Sequence, residues 1–170
     1  PNSKKVTFFK KGVTNNDFTR KMETPKADAN MVWFSEDIPY TTENAIKASI
    51  AGQILSMVYL KKIREDASAA YTCGASGSAS IDDKDHNVTL FAYCPMKPEK
   101  ADLALQIMRD EVTNLSKQCD ASMLAKVKEY MVKEADNEAK TNGYWAGVIS
   151  TWHRYGIDLH TDYKALVAKQ

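Results

Sequence analysis

One stretch limits the fold more than any other. Residues 39–65 read PYTTENAIKASIAGQILSMVYLKKIRE. Ile46, Ile50, Ile54, Met57 and Val58 recur at helical spacing and form a single apolar stripe. Thr41 or Thr42 can cap the start, because a hydroxyl satisfies an orphan amide of the first turn. Lys61, Lys62 and Arg64 gather at the end, where cations suit the helix dipole. A helix of this length needs a second layer against which to bury its stripe. A candidate strand follows at once, over about 70–80, made almost wholly of small side chains (AYTCGASGSAS). Another follows over 87–94, and DDKDHN at 82–87 is the turn of the resulting hairpin.

The remaining elements can be placed around this unit. VTFFK at 6–10 reads as a short strand, and KGVTNNDFTRKMETP at 11–25 as a loop or linker. Over 26–34, Ala27, Ala29, Met31 and Trp33 alternate with Asp28, Asn30, Val32 and Phe34. That pattern is a strand, polar at one end and expected to be buried on both faces at the other. A second long helix lies within 95–119, with Ala104, Met108, Val112, Leu115 and Cys119 on one face. Asp120 is a candidate cap for a third helix running to about Lys140, with Leu124, Val127, Met131 and Ala135 as its stripe. TNGYWAGVISTWHRYG reads as a short helix ended by Gly156. Its Tyr144, Trp145, Trp152 and Tyr155 are expected in the core. TDYKALVAKQ begins another helix. The order β-β-α-β-β-α-α-α argues for an α+β fold, a mainly antiparallel sheet with helices packed on one face. Residues 1–23 form the N-terminal strand and linker of this division, and 24–170 the domain.

Composition excludes several functions. With 23 basic and 22 acidic side chains the net charge is +1, so there is no electrostatic footprint for nucleic acid. No apolar run is long enough to span a bilayer. Cys73, Cys94 and Cys119 show no C-x-x-C spacing. Cys73 and Cys94 fall in neighbouring candidate strands and are placed to pair, but all three read first as small buried apolar residues. The histidines do not form a zinc helix: His86 falls in the hairpin turn, and Gly156 separates His153 from His160. No G-x-S-x-G activates Ser76 or Ser78, and no phosphate loop is present. Gly74-Ala75-Ser76-Gly77 matches the G-x-x-G of a KH loop but lies in a strand. Phe91 and Tyr93 read as core or sheet-surface packing, since the RNP1 pattern is missing. Glu129, Glu134, Asp136 and Glu138 interleave with Lys126, Lys128, Lys133 and Lys140 as surface pairs. Arg64 and Tyr71 are left; taken alone, they are a helix end and a strand residue.

Together they carry more. A long helix ending in IRE, seven residues from Arg64 to Tyr71, then a small-residue strand: this pattern resembles the pitrilysin/insulinase family of zinc metallopeptidases. It is closest to the second, non-catalytic half of such enzymes, where L-R-E-x-x-G-x-x-Y-S recurs. Arg64, Glu65 and Tyr71 match, while Ser68 stands where the glycine is usual. ETPKADANMVWF is similar to the opening strand of a C-terminal domain of the family, PEKADLALQIMRDEVTNL to its helix after the hairpin, and KTNGYW to an N-x-x-W-type segment of bacterial members. The family's H-x-x-E-H zinc helix is absent. The family continues into a further helix and closing strand, so the domain is expected to be truncated at its C-terminal end.

The resemblance implies a metallohydrolase-like fold, as in the mitochondrial processing peptidase family, and two halves closing around an extended peptide. Zinc and its base belong to the other half. Arg64 and Tyr71 would reach the substrate backbone, while this chain supplies no catalytic residue, no metal ligand and no cofactor. Implied partners are other domains of the parent polypeptide or a zinc-bearing subunit, and a peptide substrate; the bacterial periplasm is one compatible setting. The alternative is a structural or protein-interaction module of the same fold without a proteolytic role. The bare strand has two readings. Either Thr72, Gly74, Ser76 and Ser78 leave backbone open to substrate, or Cys73, Ala75 and Ala79 are small because a helix packs close, which is the favoured one.

Overall fold

The computed structural model describes residues 21, 23–81, 88–117 and 119–170. The strand expected at 6–10 and the hairpin turn at 82–87, with His86, lie outside the described residues. The elements are β1 (Ala27–Ser35), α1 (Thr42–Tyr59), β2 (Gly74–Ala79), β3 (Val88–Met96), α2 (Ala101–Lys117), α3 (Ala121–Glu138), α4 (Asn142–Tyr155) and α5 (Tyr163–Lys169). A wider-wound π-helical segment, Leu60–Asp66, prolongs α1.

The three strands form an antiparallel sheet in the order β1-β3-β2. The register sets Val32 opposite Phe91 and Asn30 opposite Tyr93, and puts Gly74 opposite Tyr93 on the other side of β3. Alternation then sends Ala29, Ala92 and Cys94 into the core, while Val32, Phe34, Phe91 and Tyr93 remain exposed on the open face. The end of β1 is therefore not buried on both faces as expected.

Helix α1 is central. One face carries Leu55 and Tyr59 into a core shared with Ala29, Ala92, Cys94, Ala104 and Met108. The opposite face carries Ile46, Ile50 and Ile54 against Val127, Met131 and Val167 of α3 and α5. The stripe read from the sequence is the second face alone; on the first, Leu55 and Tyr59 share the face with Ala48, Gly52 and Ser56, whose small side chains break the apolar period. Thr41 caps α1, its hydroxyl accepting the Asn44 amide at 2.9 Å. Tyr59 is wholly buried and donates its hydroxyl to the Met108 carbonyl at 2.9 Å, tying α1 to α2. Asp120 caps α3, accepting the Ser122 and Met123 amides at 2.7 and 3.1 Å. Gly156 ends α4 at a φ of +70°.

Two further expectations are corrected. Cys119 follows the end of α2 and is exposed, whereas Cys73 and Cys94 are buried; all three thiols are free. The aromatic helix α4 is not core: none of its residues is buried, and Trp152 is 62% exposed. Trp145, Ile149 and Trp152 lie on a helical stripe that the described residues leave open to solvent.

Candidate functional site

The site lies where α1 hands over to the sheet. In the π-helical segment Ile63 is fully buried while Arg64 is exposed, so the wider winding seats one side chain in the core and turns the next outward. The chain then reverses within a few residues. The Ala67 amide donates to the Lys62 carbonyl at 3.1 Å, and the Ala69 amide to Ile63 at 2.9 Å. Ser68 takes a φ of +50°, the left-handed conformation that glycine adopts most readily. The turn of the family pattern is thus kept although its glycine is not.

Beyond the turn, Ala70 is bridged to Met96, and the Lys97 amide donates to the Ala69 carbonyl at 3.0 Å. On the far side Cys73 is buried. Tyr71 stands between these two anchors and projects outward, 85% exposed. This is why β2 begins at Gly74 rather than at Ala70. The Arg64 guanidinium carbon lies 5.4 Å from the centroid of the Tyr71 ring, within cation–π reach. Among the described residues no carboxylate pairs with Arg64, and no group bonds the Tyr71 hydroxyl. The Arg64 charge is also felt at Cys73: burial pushes that thiol up, and the guanidinium opposes the rise. The structure therefore brings the two sequence-predicted residues together on the surface with their donors uncommitted.

The bare strand beside them is explained mainly by packing. A Cβ on Gly77 would collide with the Ala48 carbonyl, 2.5 Å from its carbon, and one on Gly52 would lie 2.5 Å from the Ser76 carbonyl carbon. Helix α1 therefore runs almost in backbone contact with β2. On the open face Ser76 and Ser78 are exposed. The Tyr93 ring leans across Gly74, where an added Cβ would lie 3.1 Å from Cε1 and 3.0 Å from the Ser56 hydroxyl. Phe91 and Tyr93 stack at 6.4 Å on the same face, as sheet-surface residues.

Among the described residues no group of three or more His, Cys, Asp or Glu is placed to hold a metal ion. His160 instead shares a 2.8 Å hydrogen bond with the Tyr144 hydroxyl through Nδ1, and its ring packs against Trp145 at 4.7 Å, tilted by 55°.

The description "Peptidase M16 inactive domain" matches residues 1–131. The chain belongs to that family. The family agrees with the resemblance read from the sequence, and its description is that of an inactive domain. Solved structures agree on the fold. The periplasmic protease PqqL from Escherichia coli superposes with a TM-score of 0.69 at 18% identity, over 88% of this chain and 17% of that one. A mutant of the ferredoxin protease FusC, in complex with Arabidopsis ferredoxin, gives 0.67 at 18% identity, over 85% and 16%. A conserved protein from Enterococcus faecalis gives 0.66 at 14% identity, over 86% and 35%. The M16 inactive domain thus spans a small part of the proteases it resembles. No curated protein matches the sequence.

One feature, built largely from residues beyond the matched 1–131, gave no signal in the sequence. A cavity opens at the start of α1, and its polar wall comes from Tyr40, Glu138, Tyr144 and Tyr163. These residues belong to four separate segments, so no spacing along the chain could have grouped them.

Proposed function

We propose that this domain is the substrate-contacting, non-catalytic lobe of a zinc-dependent endopeptidase or oligopeptidase, and that Arg64 and Tyr71 grip the backbone of an extended peptide. The observation carrying this reading is the exposed Arg64–Tyr71 pair, with the guanidinium carbon 5.4 Å from the ring centroid, at the turn where the family motif lies.

The chemistry follows from the two side chains. A guanidinium is a permanent cation with several N–H donors in a fixed fork, and a phenol adds one directed O–H. Both suit a peptide carbonyl oxygen, and more so when that oxygen gains negative charge. The cation–π contact holds the guanidinium beside the phenol, so both donors stand at one place on the surface. In water these contacts are weak; they strengthen when a facing lobe closes and excludes solvent. In this reading hydrolysis belongs to a zinc-bearing partner half, and this lobe contributes binding and orientation. Ser76 and Ser78, exposed on β2, leave room for a chain to pass along the open face.

The test uses the intact parent enzyme. Arg64→Ala and Tyr71→Phe should each lower kcat/KM for a peptide by roughly 10- to 100-fold, toward the cost of one lost oxyanion donor, with zinc content unchanged. Wild-type turnover in both variants contradicts the proposal.

A further inference from the structure

We propose that the cavity bounded by the start of α1, the end of α3, α4 and the α4–α5 loop binds a small organic cation, a protonated amine carried on an apolar or aromatic body. The cavity measures about 390 Å3. A void of about 150 Å3 already holds benzene, and small-molecule sites commonly start at about 300 Å3. Ile46, Met131, Val148 and Leu159 supply an apolar lining for the body of such a ligand.

The glycines of α4 point to an occupant. Gly143 and Gly147 sit one helical turn apart on the cavity wall. Glycine inside a helix, as Gly147 is, is destabilising relative to alanine and is explained where another backbone comes close, while Gly143 lies in the first turn. That reason holds at Gly52 and Gly77 but not here: a Cβ on either α4 glycine would meet nothing within 4 Å. Their effect is to widen the cavity.

The polar wall selects the charge. Tyr40, Tyr144 and Tyr163 present aromatic rings, whose faces attract cations. Glu138 is the one ionised side chain among the lining residues, and no described cation pairs with it. The neighbouring Asp136 is already taken by Lys164. The Glu138 charge reaches the interior: after burial, it is the next cause holding the Tyr144 and Tyr163 phenols above their ordinary range. An anion would be repelled here, and a neutral molecule would gain only the apolar contact. The site is also separate from Arg64, since the intervening helix sets them roughly 25 Å apart at 1.5 Å per residue, so its test is independent of the proposed peptide contact.

Phenethylamine is a suitable probe, with phenethyl alcohol and hydrocinnamate as its neutral and anionic counterparts. Each is titrated at neutral pH into the 170-residue chain while the amide NMR signals of Ala135, Gly143 and Gly147 are followed. Phenethylamine should shift these signals saturably. The alcohol should bind about tenfold more weakly, about one step of 1.4 kcal/mol, and hydrocinnamate should not shift them. Glu138→Gln, at an exposed position, should weaken the amine about as much as removing the ligand's own charge. Gly147→Leu should fill the cavity and abolish binding, with a melting temperature at or above that of the parent. No saturable shift with phenethylamine, equal affinity for hydrocinnamate, or undiminished binding in both variants would overturn the proposal.

Discussion

Ser68 is the residue at which the sequence and the backbone disagree most openly. The family pattern has glycine there, and the serine holds a φ of +50° to keep the same turn. A side chain in that conformation costs about 1–2 kcal/mol, while glycine gives part of this back through its freer unfolded chain. Ser68→Gly should therefore raise stability by about 0.5–1 kcal/mol, measured by urea unfolding; a loss of stability would show that the turn is not strained. Asp158 makes a second prediction at this scale. The Thr161 hydroxyl, then the Thr161 and His160 amides, bond its carboxylate and hold its pKa at about 2. Because the folded value lies below the unfolded one, near about 3.9, the stabilisation is complete above about pH 4 and is lost as pH falls through about 2. Asp158→Asn should flatten the acid limb of the stability profile in that window. An unchanged profile would mean that the loop before α5 is not held by this carboxylate.

Among the elements, α1 and β2 form the unit that sets the geometry of the fold. Their close approach rests on Gly52 and Gly77, and the colliding atoms are backbone, which cannot swing aside as a side chain would. Gly77→Ala should cost about 2–3 kcal/mol, at the upper part of the range for overpacking, read as a fall in urea midpoint at constant slope. A neutral effect would mean that the helix can slide on the strand. This unit also shows what was legible in the sequence and what was not. The Ile46, Ile50 and Ile54 stripe announced a helix because bulky apolar residues carry a period. The small-residue face of α1 announced nothing, because alanine, glycine and serine look alike whether packed or solvated. The opposite error arose at α4. Its tryptophans carry a helical period and so read as core, yet Trp152 and Ile149 face solvent among the described residues. Periodicity tells which residues share a face, but not whether another element covers that face. Arg64 and Tyr71 were singled out by the family resemblance, not by any property of their own, and the path between them is a π-helical segment, a left-handed turn and a bridged Ala70.

For the whole molecule, the folded domain resembles an M16 lobe with its helices on one side of the sheet. Its open face carries Phe91, Tyr93 and the exposed serines of β2, with the Arg64–Tyr71 pair at the turn leading into that strand. If arginine and tyrosine act as one unit on the same substrate carbonyl, removing either should lose most of what removing both would lose, because groups that work together are not additive. The most direct test is a double-mutant cycle in the intact parent enzyme, with kcat/KM for one peptide measured for wild type, Arg64→Ala, Tyr71→Phe and the double variant. The double variant should fall little below the worse single variant, a coupling of about 1 kcal/mol or more. Strictly additive losses, or no loss in any variant, would contradict it.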